Sequence, residues 1–187
     1  MITTVVKLGG AVLAKGPLAA LGRIPCDGRT LIVPGGGPFA DTVRAVDERL
    51  GLGDDAAHWA AILGMDQYAY ALAAHVRGVK LVHQPRDLPR ADETPGLPVL
   101  APYQWIRAVD PLPHSWDVTS DSIAAWVAGG VGATRLLLVK PVSDGAVDHY
   151  FSCVRANLDV RVLGVDAIDT IQTVLAEPAV WAHLSSP

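Results

Sequence analysis

The stretch LIVPGGGPFADTVRAVDERL, residues 31–50, joins a short apolar run to a helical pattern through Pro34 and three consecutive glycines. Before Pro34 the residues are apolar and β-branched, as in a strand buried on both faces. After Pro38, which suits a first helical turn, Phe39, Val43, Val46 and Leu50 recur at helical spacing. Glycine gives up more chain entropy on folding than alanine, so Gly35, Gly36 and Gly37 imply that side chains would obstruct something there. Bare amides at a helix start can approach an anion, and the helix dipole favours negative charge at the same point. The triplet therefore reads as a phosphate cradle, with a tight turn lacking any ligand as the alternative.

Working outward, the strand-then-turn pattern recurs. TTVVKL (3–8) stops at Gly9-Gly10, RTLIV (29–33) at Pro34, RLLLVK (135–140) at Pro141, and VRVLGV (160–165) forms a fourth run. Helices are expected over about 54–77, from Thr119 or Ser120 to Gly129-Gly130, and over about 166–176. Such alternation predicts a three-layer α/β/α sandwich on a mainly parallel sheet, in one domain over 1–187. Residues 84–118 hold seven prolines, which predicts short elements and ordered loops that carry part of the substrate pocket.

Ligands in open α/β sheets bind beyond the carboxyl ends of the strands. Two of the four lysines, Lys7 and Lys140, end apolar runs there. A buried ammonium calls for a nearby anion; the alternative is a lysine reaching solvent along its stem. In SWDVTSDSIAAWVAGG (115–130), Thr119 or Ser120 can cap a helix whose first turn holds Asp121. Packed at the same edge, that carboxylate would reach both lysines; otherwise it is an ordinary acidic first turn.

Composition narrows the partners. The 187 residues are half hydrophobic with a formal charge of −4, and the calculated pI is 5.8. This excludes a generally basic nucleic-acid face and favours small metabolites. Cys26 and Cys153 fit no metal or redox spacing, and the six histidines lack zinc spacing and read mostly as surface or capping residues. Neither a leader nor a bilayer-length apolar run is evident, so a cytoplasmic protein without membrane contact is expected. Neither GxxxxGK[ST] nor GxGxxG occurs after a strand, and AGGVGAT (128–134) reads as a helix end.

VVKLGGA, VPGGGPFAD, DVTSDSIAAW and LLLVKPVSDG, in that order, resemble the amino acid kinase family, which includes acetylglutamate, aspartate, uridylate and isopentenyl phosphate kinases. Within it, DAAHWAAILGMDQYAYALA (55–73) together with SWDVTSDSIAAW is similar to the methanofuran-biosynthesis branch, which phosphorylates an aminomethylfuran methyl phosphate. The resemblance implies ATP and Mg²⁺ as cofactors and a phosphate or carboxylate as acceptor. It implies that Lys7 neutralises the transferred γ-phosphoryl, Asp121 orders the lysines and Lys140 adds a second cation. Gly9, Gly10, Gly35, Gly36 and Gly37 would supply backbone donors, and Ser120, Asp144 and Gly145 would complete the phosphate and nucleotide site.

For the acceptor, Arg44 and Asp66 could read a phosphate and an amine, with Tyr68 or Trp116 against a ring. The alternative makes these ordinary polar helix residues and core aromatics. The pattern departs from the family at Ala11, which replaces a frequent serine, and at Lys140-Pro141-Val142-Ser143-Asp144-Gly145. About 40 residues follow that run, short for a nucleotide-holding half. A non-catalytic anion- or metabolite-binding protein on the same fold is the competing expectation. A homo-oligomer is expected in either case.

Overall fold

The computed structural model describes residues 1–15, 18–89, 96–141, 147–155 and 157–177. Its centre is a six-stranded sheet in the order β3-β4-β2-β1-β5-β6. The strands are β1 (Thr4–Leu8), β2 (Thr30–Pro34), β3 (Val79–Val82), β4 (Leu97–Leu100), β5 (Arg135–Lys140) and β6 (Asp159–Gly164). Every neighbouring pair is parallel. β1 lies between β2 and β5, with Lys7 opposite Val33 on one side and Leu138 on the other. The chain winds outward from β1 first through β2 and later through β5, so the point where the winding reverses lies at β1.

Because strand side chains alternate between faces, each apolar run supplies two cores. Val6, Leu8, Ile32, Leu137 and Val139 pack with Tyr68, Leu72 and Ile171 on one face. Val5, Leu31, Val33, Leu136 and Leu138 pack with Ile62, Ile106, Ile123 and Val127 on the other. Helices α1 (Gly10–Lys15), α2 (Gly37–Leu50), α3 (Asp54–His75), α4 (Tyr103–Val109), α5 (Ser120–Gly130), α6 (Phe151–Val154) and α7 (Ile171–Ala176) complete the layers. Among the described residues, no helix is long and apolar enough to cross a membrane.

The α/β sandwich and parallel sheet match the expectation from the sequence, with two differences. β3 and β4 were not expected. β4 (LPVL) carries Pro98, which cannot donate to a ladder, and its pairing with β2 reduces to Ile32 opposite Val99. The last helical region divides into a 3₁₀ segment, Val165–Thr170, followed by α7.

Two local features set the geometry of α2 against α3. α2 ends at Gly51, whose φ of 65° is a left-handed cap. α3 then runs back along α2, and Gly64 permits the close approach: a Cβ there would lie 3.1 Å from the Ala40 nitrogen.

Candidate active site

Lys7 shares its sheet face with Val5, and Lys140 shares the same face with Leu136 and Leu138. Both ammonium groups therefore emerge beneath the start of α5, at the carboxyl edge of adjacent strands. Thr119 caps α5, its hydroxyl accepting from the Asp121 amide at 3.3 Å. That turn aims the Asp121 carboxylate at the lysines. Oδ1 lies 2.8 Å from Lys7 Nζ and Oδ2 lies 2.8 Å from Lys140 Nζ. All three residues are buried, at 6%, 8% and 3% exposure for Lys7, Lys140 and Asp121. Burial alone would raise the Asp121 pKa, but Lys7 and the Lys140 hydrogen bond more than offset this and hold the carboxyl below its usual range. Lys7 and Lys140 thus share one carboxylate, which holds both ammonium groups at the carboxyl edge of the sheet.

The glycine turns close around this triad. A Cβ on Gly10 would sit 2.6 Å from the Gly37 Cα, so the turns after β1 and β2 touch and exclude side chains. The expectation that all five glycines offer amides is corrected at two of them. Gly9 N donates to Val139 O at 2.8 Å and Gly35 N to Leu8 O at 2.7 Å, extending the sheet ladder. These two glycines supply room: a Cβ on Gly9 would lie 3.6 Å from Lys7 Nζ, and one on Gly35 would lie 3.6 Å from Lys7 Cε and 3.1 Å from Ser120 Oγ. Gly10 and Gly37 begin α1 and α2, with Gly36 at the cap, where the first N–H groups lack intrahelical partners. Tyr68, wholly buried, donates its hydroxyl to Gly9 O at 3.2 Å and so buttresses the first turn. Burial pushes its phenol upward, so it stays protonated.

Two clefts flank the α5 start. The first, of about 170 Å³, lies between α2, α3 and the loop entering α5. Gly36, Gly37 and Ser120 line it, as do Arg44, Trp116 and His58. Trp116 Nε1 donates to Asp47 Oδ2 at 2.8 Å, and the Arg44 guanidinium lies 4.1 Å above the indole. Of the acceptor residues expected from sequence, the structure thus brings Arg44 and Trp116 together and leaves Asp66 apart. The Asp66 carboxylate accepts from Tyr103 N at 3.0 Å at the start of α4, and burial raises its pKa. The second cleft, of about 350 Å³, is lined by Asp121 and Lys140 together with Asp117 and Asp148. Thr119 and Trp116 face both clefts. Asp144 and Gly145 lie outside the described residues.

Sequence reasoning missed two features. Asp148 accepts from Thr119 N at 3.0 Å, Thr119 Oγ1 at 2.6 Å and Ser122 N at 3.1 Å, and also from Ser122 Oγ, so a remote carboxylate holds the first turn of α5. Its identity as a cap depends on tertiary folding, with no local pattern to announce it. The second is a histidine pair. His58 stacks on His114 with centroids 4.2 Å apart, and the His114 ring nitrogens face Asp55 Oδ1 at 2.5 Å and Asp110 Oδ1 at 2.8 Å. Hydrogen bonds to Asp55 and Asp110 raise the His114 pKa. Burial, with the His114 charge, lowers His58 to about 4. The expectation of surface or capping histidines fails at His58, which is 7% exposed. Asp54–His58 spacing on one face of α3 was the available signal.

These features fit a polyphosphate nucleotide: two converging ammonium groups, helix-start amides, and glycine turns that a Cβ would fill. The arrangement can align and neutralise phosphoryl oxygens, which is most of what phosphoryl transfer asks of a protein.

Comparison with known proteins agrees with the geometry. Residues 3–144 match the model of the amino acid kinase family. The chain is 30% identical over 150 residues to the [5-(aminomethyl)furan-3-yl]methyl phosphate kinase of Methanocaldococcus jannaschii, covering 78% of this chain and 68% of that protein. Among solved structures, UMP kinase from Ureaplasma parvum superposes with a TM-score of 0.66 at 15% identity, covering 93% of this chain and 94% of that one. Uridylate kinase from Archaeoglobus fulgidus gives 0.61 at 15% identity, with coverage of 92% and 96%. The buried Lys7–Asp121–Lys140 triad, the paired glycine turns and the matched residues lead to one conclusion: the chain belongs to the amino acid kinase family and is a phosphotransferase.

Proposed function

We propose that the protein transfers the γ-phosphoryl group of Mg-ATP to the phosphate of a small acceptor, [5-(aminomethyl)furan-3-yl]methyl phosphate, in the synthesis of a methanofuran-type one-carbon carrier. An oxygen of the acceptor phosphate forms the new P–O bond, the bond from the γ-phosphorus to the bridging oxygen breaks, and ADP leaves. Mg²⁺ would neutralise charge on the nucleotide phosphates. Such an ion commonly arrives on the nucleotide, keeping several waters and bridging phosphate oxygens.

The observation that carries this reading is the convergence of the Lys7 and Lys140 ammonium groups on Asp121 beside the paired glycine turns. The first cleft, with Gly36, Gly37 and Ser120 at one end, receives the acceptor. The second, bounded by Asp121 and Lys140, faces the nucleotide phosphates. Lys7 neutralises the group in flight, Lys140 the phosphate chain, and Asp121 fixes both ammonium groups. The name of the Methanocaldococcus relative supplies the acceptor. The enzyme would work in the cytoplasm as a homo-oligomer.

The test is incubation of the purified protein with Mg-ATP and the aminomethylfuran phosphate, following ADP release and ³¹P resonances. Growth of paired diphosphate doublets supports the proposal. Tight Mg-ATP binding without ADP release, for this acceptor and for a panel of other phosphates and carboxylates, would return the chain to a non-catalytic binding role.

A further inference from the structure

The segment from α4 to α5, PLPHSWDVT (111–119), belongs to neither helix nor strand, yet it walls both clefts. Ser115, Trp116, Val118 and Thr119 line the first, and Trp116, Asp117 and Thr119 line the second. Pro111 and Pro113 have no N–H to donate, so backbone bonding holds little of this loop. Leu112 and Val118 are buried and anchor it in the core at either end. Between them the loop hangs on side chains. Trp116 Nε1 reaches Asp47 of α2 at 2.8 Å, and His114 reaches two carboxylates.

His114 joins two other elements to the loop. Nδ1 faces Asp55 Oδ1 at 2.5 Å, in the first turn of α3, and Nε2 faces Asp110 Oδ1 at 2.8 Å, at the end of α4. A neutral imidazole donates from one nitrogen and presents a lone pair at the other, so only the imidazolium satisfies both carboxylates. Asp110 is a second, independent sign. At the left-handed cap of α4 its φ is 47°, and among the described residues it is the one non-glycine residue with positive φ. Glycine would hold that conformation without strain; the carboxylate on His114 is what aspartate adds. The ring is also faced from α3 by His58, stacked at 4.2 Å and kept neutral by burial, and by Trp59 at 5.0 Å. The Arg107 guanidinium of α4 lies 4.4 Å over the Trp59 ring. The hydrogen-bonded carboxylates prevail, and the His114 pKa is raised.

We propose that His114, as imidazolium, is a positioning residue: by tying Asp55 of α3 to Asp110 of α4 it fastens the loop that carries Trp116 to both clefts. This deepens the function proposed above and rests on it only for the consequence in catalysis. Deprotonation leaves one carboxylate facing a lone pair, the tie to that element is lost, and the loop loosens between Leu112 and Val118. The tie is complete below pH 6.5 and is lost as pH rises through the higher folded pKa. Thr119 keeps its bonds to Asp148, so the start of α5 and Asp121 stay in place. The loss therefore falls on acceptor KM through Trp116, and kcat changes less.

The test is hydrogen exchange by NMR on the ligand-free protein from about pH 6 to about pH 9, across the range where a raised histidine titrates. Wild type, His114→Gln, Asp55→Asn and Asp110→Asn are compared. Asparagine tolerates the left-handed cap, and the Asp55 side chain is 88% exposed, so neither carboxylate variant threatens folding. The readout is the protection factor of the Trp116 indole N–H, assigned by its loss in Trp116→Phe, with the β1 amides as control. Wild-type protection should fall about threefold to tenfold as pH rises, as for one hydrogen bond lost, with the midpoint of the His114 imidazole titration. His114→Gln should show low protection with no step, and each asparagine variant should move the step to lower pH. A flat wild-type profile, a midpoint apart from that of His114, or a step that persists in His114→Gln overturns the tie. With Mg-ATP and the aminomethylfuran phosphate, acceptor KM should rise at the same midpoint. A step in protection without ADP release would refute phosphotransfer alone, and turnover with a flat protection profile would refute the tie alone.

Discussion

Asp121 carries two ammonium groups on one carboxylate, so its removal has a calculable consequence. In Asp121→Asn, Lys7 and Lys140 would face one another without the carboxylate that joins them, and stability should fall by about 3–5 kcal/mol, as when one partner of a buried pair is deleted. Urea denaturation measures this. The pH dependence has a definite sign. The folded pKa of Asp121 is depressed, so its stabilising contribution is present above the unfolded value of 3.8 and is lost as pH falls through the lower folded value. Acid unfolding should therefore be less steep in Asp121→Asn than in wild type. The histidine pair behaves in opposite senses. His114 has a raised pKa, so its contribution is complete below 6.5 and disappears as pH rises through the folded value. His58 favours folding above 6.5 and loses that contribution as pH falls toward about 4. Imidazole NMR titrations should show His58 titrating near 4 and His114 above 6.5; coincident titrations near 6.5 would contradict the buried stacking of His58 on His114.

At the scale of elements, the start of α5 is where chemistry and folding meet. Thr119 and Asp121 were legible in the sequence, because a hydroxyl at a helix entry and a carboxylate in its first turn form a local pattern. Asp148 was not, since it reaches α5 from 26 and 29 residues along the chain. Asp148→Ala should cost about 1–2 kcal/mol, the range of a lost helix cap, read from the shift in the urea midpoint. The phosphate-facing glycines separate into two kinds by the same logic. The family resemblance implied that all five present amides, but only the pairing of β1 with β5 and β2 reveals that Gly9 and Gly35 donate theirs to Val139 and Leu8. In Gly10→Ala the added Cβ would meet the Gly37 Cα at 2.6 Å. Activity should therefore fall steeply as the two turns are forced apart.

For the whole molecule, strand order converts a list of motifs into a site. The two apolar runs carrying a lysine at the carboxyl end were visible, but the shared sheet face of Lys7 and Lys140 was not. Their adjacency was not, because it depends on β5 crossing to the far side of β1, a pairing 131 residues apart in sequence at Thr4 and Arg135. The proline-rich middle hid β4 for a related reason: a short run interrupted by Pro98 resembles a loop until neighbouring strands supply the pairing. The first cleft is likewise a product of assembly, since its walls come from α2, α3 and the loop entering α5. The central claim is that the converged ammonium groups act on the phosphoryl group as it moves. Single-turnover transfer from saturating Mg-ATP to the aminomethylfuran phosphate tests it in wild type and Lys7→Met. Loss of a preorganised cation predicts a chemical step slower by about 10²-fold or more, with ATP affinity changed far less; a Lys7→Met chemical step within a few-fold of wild type would contradict it.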